Sequence, residues 1–142
     1  MLKYKRQFYF GRKSSVASFI MINITYRFEK LRVYQNAVEL VVIIYDLVKQ
    51  LPDEEKFALV NQLKRSSTSI VLNIAEGTGG LGDKEFKSFL RIAIKSLYET
   101  IAGLKLAEKL FAIDGKAALE MCNIIGKELH ALIKSLNQKT ND

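Results

Sequence analysis

The sequence predicts an all-α fold, an up-down-up-down antiparallel four-helix bundle. Three observations carry this: apolar residues recur at three- and four-residue steps through four successive segments, one proline interrupts 142 residues, and the connections between segments are short. The composition agrees with one globular domain, since 49% of residues are hydrophobic and 26% charged, enough to bury a core and too apolar for a disordered chain. One cysteine excludes a disulfide framework and every multi-cysteine metal site, and one histidine leaves little for metal binding. The longest purely apolar run, Leu40 to Tyr45, is far below the ~20 residues of a membrane helix. No membrane partner and a cytoplasmic location are therefore expected.

The net charge of +7 is unevenly placed. Lys3, Lys5, Arg6, Arg12 and Lys13 precede Met21 and the first acid is Glu29, so the remainder of the chain carries only +2. Residues 1–22 are expected to form a basic leader, and residues 23–142 the bundle domain. Three readings of the leader stand side by side: upstream sequence with Met21 as the natural start, a disordered basic arm for nucleic acid or anionic surfaces, and a targeting peptide. Val16 to Ile22 supplies the apolar run that a targeting peptide would need, without a small-x-small cleavage site.

The first helix is read over Glu29 to Leu51, with Ala37, Leu40, Val41, Ile44, Leu47, Val48 and Leu51 as its inward stripe. Tyr34, Val38, Val42 and Tyr45 form a second apolar stripe, which predicts cover by another copy of the chain. Leu51-Pro52-Asp53 breaks the helix, and Asp53 is expected to cap the next, with Glu54 and Glu55 at its positive dipole end. The second helix should run to Glu76 and stop at Gly77 in a left-handed conformation. Asp83 should cap a third helix over Lys84 to about Leu110, with Phe86, Leu90, Ala93, Leu97, Ile101 and Leu104 inward. Asp114-Gly115 turns into a fourth, where Ala118, Cys122, Ile125, Leu129, Leu132 and Leu136 form a bundle seam.

Gly77, Gly79 and Gly82 spell G-x-G-x-x-G before a helix, so a dinucleotide-binding turn has to be weighed. The chain has no second strand-helix-strand unit, and Asp83 and Glu85 stand where a phosphate would sit. A P-loop also fails, because Asp83-Lys84 replaces the Lys-Ser/Thr pair. The loop is a helix connection, and no cofactor is expected. Wound at 100° per residue, 59–76 gathers Leu59, Leu63, Ile70 and Ile74 on one side; Gln62, Arg65, Ser69, Asn73 and Glu76 fall within about 80° on the other. That polar stripe reads as a hydrogen-bonded seam within the fold or between subunits, or else as a surface for an anionic ligand.

The segments Leu31-Arg-Val-Tyr-Gln35, Gln62-Leu-Lys-Arg65, Ser69-Ile-Val-Leu-Asn73-Ile-Ala-Glu76-Gly77 and Phe89-Leu90-Arg91-Ile92-Ala93, with Ser96 to Glu99, resemble the 23S rRNA intervening-sequence protein family. The likeness covers roughly residues 29 to 110, and Asn-Ile-Ala-Glu-Gly is its most specific part. It implies a small bacterial four-helix bundle that assembles as a ring, typically a homopentamer, with Ser96 and Glu99 joining the polar seam. Some members are encoded within insertions in ribosomal RNA genes. A related branch resembles the accessory variability protein of diversity-generating retroelements, which works with a reverse transcriptase and binds nucleic acid. This chain departs from the pattern at Lys95, where the family usually has Gly, so a close helix contact is altered there or that surface is exposed.

The third helix supplies the main functional clue. Lys84, Lys87, Arg91, Lys95, Lys105 and Lys109 lie within about 80° of one another, with Tyr98 in the same arc and Glu85, Glu99 and Glu108 outside it. Over about 37 Å these cations could track a phosphate backbone, with Tyr98 stacking on an unpaired base. The plainer reading is a solvated lysine-rich face. Catalysis finds little support: His130 flanks the core beside Leu129 and Leu132, Cys122 sits at a seam position, and Glu76 with Glu99 lacks a cleft of opposed environments. The sequence thus reads as a non-enzymatic, self-associating bundle that binds RNA or DNA weakly and without sequence specificity. The alternative is a protein-binding scaffold or reverse-transcriptase accessory protein.

Overall fold

A computed structural model describes residues 25–138, and every regular element among them is helical. The expected basic leader, residues 1–22, lies outside the described residues. The helices are α1 (Arg32–Leu47), α2 (Leu59–Gly79), α3 (Asp83–Phe111) and α4 (Lys116–Gln138), with 3-10 turns at Arg27–Lys30, Val48–Gln50 and Asp53–Glu55.

Helix α1 turns Val33, Ala37, Leu40, Ile44 and Leu47 into the core. It ends earlier than its apolar period suggests, because the 3-10 turn after it keeps Val48 and Leu51 buried without α geometry. The start of α2 also differs from expectation. Asp53 to Glu55 form their own 3-10 turn, and the cap comes from Glu55, whose Oε2 accepts the Leu59 N–H at 3.2 Å. An acidic side chain still meets the helix start, but from Glu55 rather than Asp53.

Gly77 does not end α2. The helix continues to Gly79, and no glycine among the described residues has positive φ. Gly77 is needed for closeness instead: a Cβ there would stand 2.7 Å from Phe86 Cδ2 and 2.9 Å from Phe89 Cβ. Three residues then connect to α3, where the Glu85 carboxylate accepts the Leu81 N–H at 3.2 Å. Gly82, not Asp83, holds the N-cap position, while Asp83 and Glu85 occupy the first turn at the positive dipole end. Helix α3 closes on Ala112 in the left-handed region (φ 52°), and Asp114 Oδ1 accepts the Lys116 N–H at 3.0 Å to open α4.

The pairing order runs in opposite senses along neighbouring helices. Gln62 meets Glu99, Ser66 meets Thr100, Ser69 meets Ser96 and Gly77 faces Phe86, so α2 and α3 are antiparallel. Lys87 reaches Asn137, and Leu97 lies against Gly126, which sets α4 antiparallel to α3. The α1 pairings match: Lys64, near the start of α2, covers Tyr45, and Arg27, ahead of α1, lies 6.0 Å from the centre of the Phe86 ring at the far end. Asn36 and Arg32 close the ring of helices through Glu128 of α4. Each helix packs on its chain neighbours around one apolar core, with α2 and α3 sharing the most extensive contact.

Candidate functional site

Part of the polar stripe of α2 is hydrogen-bonded across to α3. Gln62 Nε2 donates to Glu99, Ser69 and Ser96 share a hydroxyl bond at 2.8 Å, and Asn73 Nδ2 donates to the Ser69 carbonyl at 2.8 Å. Below them, fully buried Thr100 donates to Ser66 Oγ at 2.8 Å. Small hydroxyl residues let the two backbones approach while leaving no buried side-chain donor or acceptor unmatched among the described residues. The pair Ser66–Thr100 is fully buried and was missed in sequence; Thr100 lies four residues after Ser96 on the same flank, the one available signal.

Arg65 and Glu76 take no part in that ladder. Both are exposed, and they flank an open cleft of about 420 Å³ that Ser69, Asn73 and Glu99 also line. Gln62 with Glu99 and Ser69 with Ser96 are thus joined across α2 and α3, Asn73 bonds back to Ser69 within α2, and Arg65 and Glu76 stand apart from these bonds at the cleft.

The basic stripe lies on the outward side of α3. Lys84, Arg91, Lys95 and Lys109 are exposed and belong to no ion pair among the described residues. The departure at Lys95 places its side chain on this open surface, away from any helix contact that glycine would serve. Lys87 is half-buried and donates to Asn137 Oδ1 of α4 at 3.0 Å. Lys105 differs from expectation: Glu108, one turn on, reaches back to it at 3.2 Å, so its charge is partly neutralised within the helix. Tyr98 stands out into solvent, 64% exposed, in the same arc.

Beside this stripe runs a groove of about 450 Å³ between α3 and α4, with Ile94, Leu97 and Tyr98 on one wall and Asn123, Lys127 and His130 on the other. Sequence reasoning found only the α3 half, because the α4 side chains enter through inter-helix register. Cys122 sits at the bottom of this groove, and burial pushes its thiol from 9.0 up to about 12, the opposite of an activated nucleophile. Among the described residues no three His, Cys, Asp or Glu side chains come together as a metal site, and no helix is long and apolar enough to cross a membrane.

The second stripe of α1 divides. Val38 and Tyr45 are exposed; Tyr34 and Val42 are half-buried, Tyr34 under Phe28 with ring centres 4.8 Å apart. Tyr45 carries the Lys64 ammonium 4.8 Å above its ring. A second exposed apolar patch, unnoticed in the sequence, joins Phe57, Leu106 and Leu110 where α2 begins and α3 ends.

Residues 29–135, spanning all four helices, match the 23S rRNA-intervening sequence protein profile. The chain belongs to that family. Among solved structures, this member of the 23S rRNA-intervening sequence family is similar to a Bacteroides thetaiotaomicron protein of unknown function from the S23 ribosomal protein family. The two share 32% identity over 72% of this chain and 95% of that one, with a TM-score of 0.64. No curated protein matches the chain.

Proposed function

We propose that this protein is a non-enzymatic bundle that associates with copies of itself and binds RNA or DNA through the phosphate backbone along α3. The observation that carries this reading is the row Lys84, Arg91, Lys95 and Lys109, four exposed cations on one helix face without carboxylate partners among the described residues. A solvated face of ordinary kind carries both signs interleaved, so that neighbouring charges neutralise one another. Unpaired cations in a row keep their charge available to displace the counterions of a nucleic acid. Four such contacts predict a slope of log K on log salt of about −3.6 for duplex and about −2.8 for single strands. Fluorescence anisotropy with labelled RNA and DNA across a salt series reads that slope. Arg91→Glu with Lys95→Glu, both exposed members of the row, should abolish most binding, and absence of binding at low salt refutes the proposal.

Self-association draws on exposed Val38 and Tyr45, with a ring, typically of five subunits, as the form the family resemblance suggests. Such a ring would repeat the α3 row around its circumference. Light scattering after size-exclusion chromatography tests it, and a monomer at micromolar concentration refutes it. A second reading, a scaffold for a protein partner such as a reverse transcriptase, is favoured by the patch of Phe57, Leu106 and Leu110, where Phe57 is 86% exposed. Binding of nucleic acid by the bundle alone decides for the first.

A further inference from the structure

We infer that the α3/α4 groove receives an unpaired base, which makes single-stranded nucleic acid the ligand of the basic face. This rests on the nucleic-acid reading above and narrows it. A row of cations by itself cannot tell a duplex from a single strand, since both present phosphates. The groove can. Its floor is apolar, with Ile94 and Leu97 of α3 beside Gly126 of α4, where the missing side chain keeps the slot open. A Cβ on Gly126 would rest 3.4 Å from Leu97 Cδ2, so the two helices do not require glycine there for contact.

Tyr98 forms the outer lip of the slot and is exposed over 64% of its surface, with no ring partner among the described residues. An exposed aromatic ring next to an apolar slot and flanking cations offers what a splayed base needs: a face to stack on and a dry place for its edge. A duplex keeps its bases inside and would leave both unused. Polar groups stand where base edges and phosphates would follow. Asn123 and His130 lie on the α4 rim, able to give or accept hydrogen bonds, and the Lys127 ammonium stands beside them. Arg91 and Lys95 approach from the α3 side, and Lys134 continues the α4 side two turns beyond Lys127, all three exposed. The anionic strand would thus run between two cationic walls with one base turned into the groove.

The test uses three labelled probes of equal length: an oligo-dT strand, an abasic strand with the same phosphates, and a duplex. The wild-type chain should bind oligo-dT about tenfold more tightly than the abasic strand, the lower part of the range that aromatic–base stacking gives. Tyr98→Ala should remove that preference while leaving abasic affinity unchanged, and Tyr98→Phe should retain it. Tyr98 is an exposed side chain, and circular dichroism verifies that both variants fold. Equal affinity for oligo-dT and abasic strands, or a preference untouched by Tyr98→Ala, overturns the base-in-groove inference while the phosphate-binding reading stands. Failure to bind any of the three probes at low salt overturns both.

Discussion

Replacing Gly77 by Ala tests the claim that this glycine serves a close helix approach. An exposed helical Gly→Ala change ordinarily stabilises by about 0.8–1 kcal/mol, through backbone entropy. Here the new methyl would sit 2.7 Å from Phe86 Cδ2 and 2.9 Å from Phe89 Cβ. Phe86 is buried at 4% exposure, and Phe89 Cβ is fixed to the α3 backbone, so neither can swing aside. Restoring ordinary carbon contact requires α2 and α3 to part locally by roughly half an ångström or more. Overpacking costs about 1–3 kcal/mol, and two contacts below 3 Å with atoms that cannot move put this site at about 2–3 kcal/mol, so a net loss of about 1–2 kcal/mol remains after the helix-propensity gain. Gly103→Ala supplies the contrast. Its methyl would meet Leu63 Cδ2 at 2.8 Å, the far end of a fully buried side chain and not a backbone-fixed atom, so a smaller loss than at Gly77 is expected. Urea unfolding followed by far-ultraviolet circular dichroism measures both, at constant m-value. A Gly77→Ala protein as stable as wild type, or less affected than Gly103→Ala, refutes the reasoning.

Thr100→Val keeps side-chain shape but removes the hydroxyl that reaches Ser66, and should cost about 1–2 kcal/mol. The Ser66→Ala, Thr100→Val double variant should lose less than the two single losses together, and strict additivity in the unfolding cycle would deny the pair any coupling. Cys122 should resist a maleimide at pH 8 in the native protein and react promptly in urea, since its thiol is buried and its pKa raised to about 12. The raised pKa also fixes a pH dependence. Above about 9 the unfolded chain releases a proton that the folded chain retains, so this contribution is intact below that pH and is lost progressively as pH climbs towards about 12. A Cys122→Ala protein with the same alkaline loss as wild type would assign that loss to other groups.

The helices were readable because burial leaves a periodic trace that one sequence carries on its own: Leu59, Leu63, Ile70 and Ile74 are all buried as their spacing predicts. Helix ends were less readable. A glycine chosen for left-handed φ and one chosen for the absence of a Cβ look identical in sequence, and Gly77 proved to be the second kind. The sequence pointed to Asp53 as the cap, and the backbone path brings Glu55 to the Leu59 N–H instead. For the polar stripe, periodicity placed Gln62 and Ser69 on one face, but their partners Glu99 and Ser96 on α3 depend on register between helices. The α4 side of the groove was hidden for the same reason: Asn123, Lys127 and His130 form no pattern with α3 until the two helices are laid side by side.

The connection of only three residues between α2 and α3 has a consequence for how the chain reaches this structure. Closing so short a loop sacrifices little chain entropy, and the hydroxyl ladder with its adjoining leucines rewards the closure at once. The α2–α3 hairpin is therefore the natural nucleus of folding, on which α1 and α4 condense from either end of the chain. Substitutions along that ladder should slow the rate of folding, whereas those on the outer helices should mainly hasten unfolding.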